Sequence, residues 1–142
     1  MQVRHILQGK GRDVVTISST ATICDAAKLL TAKKIGALCV KDRNGTLSGI
    51  ISERDLVRAI AKSGADCFSD PVSAHMTPAP ETCVESDTVE SVMEVMTRGR
   101  FRHVPVLDNS GLCGMVSIGD VVKHRVEEAE GEAAQLREYI AS

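Results

Sequence analysis

Apolar residues first cluster at strand-like spacing in Val14-Val15-Thr16-Ile17, and at Thr22 the spacing changes to about 3.6 residues, with Ile23, Ala26, Ala27, Leu30 and Ile35 in phase. The pattern predicts a short strand followed by a helix. Thr22 and Asp25 have the spacing of a capping pair, with Asp standing where Glu is more usual. Ala37-Leu38-Cys39-Val40 predicts a second strand, Asp42-Arg43-Asn44-Gly45 supplies turn chemistry, and Leu47 to Ile51 returns as a third strand, so these two form a hairpin. A helix is expected from Glu53 to about Lys62, stopping at Gly64. Residues 64–80 then hold Asp70-Pro71 and Thr77-Pro78-Ala79-Pro80, three of the four prolines, and read as a connector.

The same order then recurs: a strand near Thr82-Cys83, a helix over 88–98, a strand over 103–107, a turn at 108–111, a strand over 112–116 and a helix from 118. Thr16, Ile23, Leu30, Val40 and Gly45 reappear 66 positions later as Thr82, Val89, Met96, Val106 and Gly111, and Gly49 reappears 65 later as Gly114. Such an internal repeat decides the fold. It predicts two units, residues 1–66 and 67–125, followed by a helical extension over 126–142; the whole final helix pattern, from 118 to about Ile140, carries Val122, Val126, Ala129, Ala133, Leu136 and Ile140 on one stripe. A helix that outgrows its counterpart in this way needs a partner surface, on its own body or on another chain. Each unit is short for a core of its own, so the two are expected to share one. The strand–helix–strand portion requires a crossover, giving mixed sheets with helices on one face, an α/β (α+β) fold. Two units about a pseudo-twofold axis leave clefts where they meet.

Composition narrows the function classes. A net charge of −2 and a pI near 6.1 lack the basic footprint of a nucleic-acid binder, and 2% aromatic residues offer almost no stacking platforms for bases. No apolar run approaches the roughly 20 residues of a membrane span, and the start of the chain has no signal-peptide pattern. Cys24, Cys39, Cys67, Cys83 and Cys113 are odd in number and dispersed, which reads as reduced, buried thiols in a cytoplasmic protein.

The chemistry-bearing residues fall on the repeat. Ser52-Glu53-Arg54-Asp55 and Ser117-Ile118-Gly119-Asp120 each close a strand pattern and open a helix. One reading is a helix cap, Ser at the N-cap and Asp at the positive end of the dipole. The other uses the same physics: a helix N-terminus offers N–H groups to an anion, and the carboxylate can accept two hydrogen bonds from a vicinal diol. Sugar hydroxyls plus phosphate describe a nucleotide. Arg98-Gly99-Arg100-Phe101-Arg102-His103 leads from a helix into a strand. It is either a solvated rim or a phosphate-binding edge, with Arg102 and Val104 on one strand face and His103 on the other. Arg54 in the first unit is replaced by Gly119 in the second, so the two clefts are expected to differ. Thr16 and Thr82 are strand hydroxyls just ahead of their helices, where β propensity alone would place them.

Other motifs are missing. Gly9-Lys10-Gly11 lacks the third glycine and the preceding strand of a dinucleotide fingerprint, no Cys or His pair has metal spacing, and no nucleophile signature is present. No catalytic base is nominated, and no enzyme is expected.

With these residues in place, the chain resembles a tandem pair of CBS domains, the cystathionine-β-synthase type of regulatory module. The resemblance rests on Gly49-Ile50-Ile51-Ser52-Glu53-Arg54-Asp55-Leu56, Arg102-His103-Val104-Pro105-Val106, Gly114-Met115-Val116-Ser117-Ile118-Gly119-Asp120-Val121 and the seam His75-Met76-Thr77-Pro78, and spans about residues 3–125. It implies duplicated β-α-β-β-α units that bind AMP, ADP, ATP, NAD(H) or S-adenosylmethionine in clefts between the halves, with no metal. Asp55 and Asp120 would hold the ribose diol. Ser52, Arg54, Ser117, Arg102 and His103 would contact phosphate, and Ile118 belongs to the second element. Strand residues Thr16, Ile17, Ala37, Leu38, Cys39, Thr82, Cys83, Val104 and Pro105 would wall the adenine. Such modules often pair into flat dimers, so a homodimer is expected. With no room for an attached enzyme, an energy-sensing output would pass to a separate partner protein, through the dimer, or nowhere. The rival reading is a structural dimerisation protein in which both Ser-x-x-Asp elements are only caps.

Overall fold

The computed structural model describes residues 1–141; Ser142, the last residue of the expected extension, lies outside them. Five α-helices and six strands follow in the order α1 (Val3–Lys10), β1 (Thr16–Ser18), α2 (Ile23–Lys33), β2 (Ala37–Lys41), β3 (Leu47–Ser52), α3 (Glu53–Ser63), β4 (Thr77–Pro78), α4 (Val89–Gly99), β5 (His103–Asp108), β6 (Gly111–Ser117) and α5 (Ile118–Ala141), with two 3-10 turns in the connector. Thr22 and Asp25 do form a reciprocal cap, each side chain accepting the other's backbone N–H at 3.1 Å. α2 and α4 both end on a left-handed residue, Lys34 and Arg100, which turns the chain sharply into the next strand.

The first sheet has the order β1-β2-β3-β4, with β1 parallel to β2 and the remaining pairs antiparallel. The second is the β5–β6 hairpin. The strand expected at Thr82-Cys83 is reduced to one parallel bridge from Cys83 to Val106, the counterpart of Ile17 beside Val40. The chain leaves the sheet at once because Asp87 folds back: its side chain accepts the Val84 N–H and its own N–H donates to the Val84 carbonyl.

α1 was not among the expected elements, and it changes how the halves are built. Val3, Ile6 and Leu7 are buried in a cluster with Cys83, Val89, Val92, Met96, Val104, Val106, Val116 and Val121, all from the second repeat. Conversely, Cys67 and Val72 of the connector are buried with Ile17, Ile23, Leu30, Leu38, Val40 and Ile51 of the first. Main-chain bonds repeat the exchange. Val72 N–H donates to Ala21 and Ile23 N–H to Asp70; Val3 N–H donates to Asp87 and Val89 N–H to Met1. The expectation of one shared core is therefore corrected: each half has its own cluster, completed by the segment that precedes the other half. That loan supplies the apolar surface a unit of this size lacks, and it ties the halves together.

Candidate functional site

Both Ser-x-x-Asp elements are helix caps. Ser52 Oγ accepts the Asp55 N–H at 3.4 Å, while Asp55 Oδ2 accepts the Ser52 N–H at 2.8 Å and its hydroxyl at 3.0 Å. At the start of α5 the Ser117 N–H donates to Asp120 Oδ2 at 2.9 Å, and Ser117 Oγ accepts the Asp120 N–H at 3.1 Å. Capping uses one oxygen of each carboxylate, so what the rest of the carboxylate meets decides whether a cap can also be a site.

The two differ there. Among the described residues, Asp55 is the one charged residue that is buried, at 6% exposed, and its Oδ1 meets only the Thr77 hydroxyl and Arg58 Nη1, each at the long distance of 3.5 Å. A buried carboxylate oxygen held so loosely has hydrogen-bonding capacity in reserve. It lines a cavity of about 410 Å³. Three segments form the walls: Ser52, Glu53, Arg54 and Arg58 at the start of α3; Thr77, Ala79, Pro80 and Glu81 of the seam; and Arg100, Phe101, Arg102 and His103 between α4 and β5. Four guanidinium groups face three carboxylates there, with the N-terminus of α3 adding positive potential. Ala79 holds φ 45° at this wall, a left-handed conformation uncommon for a residue with a β-carbon.

Asp120 is met by Lys10, the last residue of α1, on the same oxygen that the cap uses. Lys10 Nζ donates to Asp120 Oδ2 at 2.7 Å and to the Met115 carbonyl at 2.9 Å. Burial works against ionisation of Asp120, but the bonds from Lys10 and Ser117 outweigh it and hold the carboxyl below its ordinary range. His103 is pushed the other way for a base: burial first, then the charge of Lys10, lowers its pKa against the pull of Asp120 and Glu53, so its imidazole is neutral at pH 7.

Of the residues singled out in the sequence, Ser52, Arg54, Asp55, Arg102 and His103 come together at this cavity. The expected split of Arg102 and His103 onto opposite strand faces does not occur. β5 begins at His103, so alternation does not reach Arg102, and both line the cavity. Ile17 and Leu38 lie in the first core, and Cys83 and Val104 in the second, with Ile118 packed against it. Thr16 is half-buried opposite Cys39, Thr82 is exposed, and Ala37 and Pro105 are buried. Cys39 Sγ lies 3.8 Å from Met115 Sδ, where the halves meet. Burial pushes the Cys39 and Cys83 thiols up to about 12, which makes them packing groups; Cys24 and Cys113 are half-buried instead. Ser117 and Asp120 stand apart from the cavity, at Lys10.

Sequence reasoning passed over Thr77, Ala79, Arg58, Arg100 and Phe101 as site residues. Thr77 had a signal, since the seam motif contains it. The others gain a role only once the seam, paired as β4 beside β3, joins the cavity wall at Asp55. Among the described residues no His, Cys, Asp and Glu group has the arrangement of a metal site, and no helix is long and apolar enough to cross a membrane.

Comparison with known proteins sets this geometry in context. The CBS domain family model matches residues 3–62 and 72–127. The mitochondrial CBS domain-containing protein CBSX3 of Arabidopsis thaliana is 35% identical over 97% of this chain and 71% of its own length. The chain spans only 23% of a longer Arabidopsis relative, CBSCBSPB1. Among solved structures, the CBS-domain containing protein ATU1752 from Agrobacterium tumefaciens is 49% identical, with TM-score 0.84 over 87% of this chain and 92% of that one. CBSX2 in complex with AMP is 29% identical with TM-score 0.70, covering 82% of this chain and 90% of that one. The CBS domain pair of MJ0100, in complex with 5-methylthioadenosine and S-adenosyl-L-methionine, is 27% identical with TM-score 0.80, covering 90% and 98%.

Proposed function

The chain belongs to the CBS domain family, and we propose that it is a regulatory module that binds an anionic adenine nucleotide in the Asp55 cleft. The observation that carries this reading is the loosely held Oδ1 of buried Asp55, facing a cavity that also holds Arg54, Arg58, Arg100 and Arg102. The carboxylate is placed to accept both hydroxyls of a ribose, and the guanidinium groups suit phosphate oxygens. The AMP complex of CBSX2 supports the nucleotide class. S-adenosylmethionine, the ligand of MJ0100, carries a sulfonium cation and no phosphate, so four arginines favour AMP, ADP, ATP or NAD(H) over it.

The residues here bind and orient. Asp55 fixes the sugar, the arginines and the α3 N-terminus neutralise phosphate, and a ligand spanning α3, the seam and β5 would clamp the halves to each other. That clamp is the signal, delivered to a partner protein or through a dimer. The test is titration calorimetry of the wild-type chain and Asp55→Ala with AMP, ATP and S-adenosylmethionine. Loss of a charge-assisted hydrogen bond predicts affinity weakened about tenfold to over a hundredfold for the nucleotides. Unchanged affinity in the variant removes Asp55 from the site, and no binding by the wild-type chain removes the nucleotide reading.

A specific observation also favours self-association. Val122, Val126, Leu136 and Ile140 of α5 are exposed, an apolar stripe of the kind a second copy covers in a homodimer. This assembly is compatible with nucleotide binding.

A further inference from the structure

The two clefts are related by the repeat, so their differences can be read position by position. Met76 covers Gly49 in the first half, where a β-carbon would come 2.6 Å from its sulfur, and Leu7 covers Gly114 in the second, where one would come 2.8 Å from a methyl carbon. Three residues beyond Met76 stands Ala79, small and at the cavity wall. Three residues beyond Leu7 stands Lys10, whose ammonium lies on Asp120. The strand entrance that brings Arg102 and His103 to the Asp55 cavity has Gly36 and Ala37 as its counterparts, and Gly119 replaces Arg54. Arg100 and Arg58 have Lys34 and Lys123 as their counterparts, so the second cleft loses two of the four cations and has Lys10 on its carboxylate where the first has an alanine.

We infer that Lys10 is a built-in occupant of the second cleft, holding the Asp120 carboxylate that a ribose would need, so that each chain takes one nucleotide, at Asp55. The inference rests on the nucleotide reading above. Lys10 holds on at two points, Asp120 Oδ2 and the Met115 carbonyl. Lys10 sits on the oxygen that the cap also uses, so a ribose that spreads its two hydroxyls over both carboxylate oxygens must displace it from Oδ2. Giving up one charge-assisted hydrogen bond weakens binding about tenfold to over a hundredfold, and the symmetry-related cleft has glycines, Gly119 and Gly36, where Arg54 and Arg102 would help offset the loss. α1, whose apolar face completes the second core, thus also ends by closing a site. Lys10 is a specificity residue acting on stoichiometry.

The experiment is calorimetric titration of the full chain with AMP, comparing wild type, Lys10→Met, Asp55→Ala and the Lys10→Met/Asp55→Ala double variant. Methionine keeps the aliphatic stem and removes the charge at a position whose side chain is 39% exposed, and Lys10→Ala serves as a second variant. The expected result is one site per chain in the wild type and two in Lys10→Met, with the single site weakened about tenfold to over a hundredfold in Asp55→Ala and a second site added in the double variant. Two sites in the wild type, or one site in both wild type and the Lys10 variants, overturns the inference while leaving the nucleotide reading intact. No binding by the wild type defeats the nucleotide reading itself, and this inference with it.

Discussion

Leu7 lies directly over Gly114: a β-carbon on Gly114 would sit 2.8 Å from one Leu7 methyl carbon and 2.9 Å from the other. No real pair of carbons packs that closely, and Leu7 is fully buried, so it has nowhere to retreat. Leu7→Ala removes a core side chain that joins α1 to the second half and should destabilise the protein by about 2–5 kcal/mol. Gly114→Ala should also destabilise it, by about 1–3 kcal/mol through overpacking. Urea unfolding followed by circular dichroism measures both. A near-neutral Leu7→Ala would mean that α1 is dispensable to the second core.

Arg102 enters the cavity from the second repeat, while Asp55 belongs to the first. Arg102→Ala should weaken AMP binding about tenfold or more, as expected for one charged hydrogen bond. The variant's affinity should also depend less on salt than the wild type's, because one screened charge is gone. Titrations at low and high ionic strength check both expectations. A drop in affinity with an unchanged salt dependence would place Arg102 in a packing role.

Much of the fold was legible because the repeat was legible. The hairpins, α2 to α5 and both capping elements follow from apolar spacing and turn residues that occur twice. α1 was not, for a physical reason. Val3, Ile6 and Leu7 do have helical spacing, but the segment is eight residues long, too short for a helix to stand on its own pattern. It is stabilised by a core contributed from residues 83–121, which no local window contains. The same exchange hid part of the site. Asp55 and Arg102 could be named singly, yet they come from different halves and meet only at the cavity wall that the seam completes, where Ala79 first becomes recognisable. The unequal clefts were expected from Arg54 and Gly119. Lys10 ranks them, and its bond to Asp120 crosses 110 positions of the chain.

The exposed α5 stripe predicts assembly. Val126→Glu combined with Leu136→Glu puts two charges on exposed positions, so it should leave the fold of each chain unchanged while opposing burial of the stripe. Light scattering at micromolar concentration should give a dimer mass for the wild type and a monomer mass for the double variant. A monomeric wild type would contradict the homodimer, and a dimeric variant would move the interface off α5.

His103 makes nucleotide binding depend on pH, and the sign follows from its surroundings. In the free protein burial and Lys10 lower its pKa below the ordinary 6.5, so the imidazole is neutral at pH 7. A group with a depressed folded pKa contributes stability that is present in full above its unfolded value and is lost as pH falls through the folded one. The free protein should therefore lose stability as pH drops below about 6.5. A phosphate placed in the cavity adds negative charge near the ring and raises its pKa, so binding takes up a proton. AMP affinity should then rise as pH falls from 8 towards 6, and calorimetry in buffers of different ionisation heat should register proton uptake. Phosphate protonation near about pH 6 opposes the trend in its own right, which makes His103→Gln the necessary comparison. That variant should show a flatter affinity profile and less proton uptake, with AMP still bound through Asp55 and the arginines. An identical profile in wild type and variant would mean that the imidazole does not sense the phosphate.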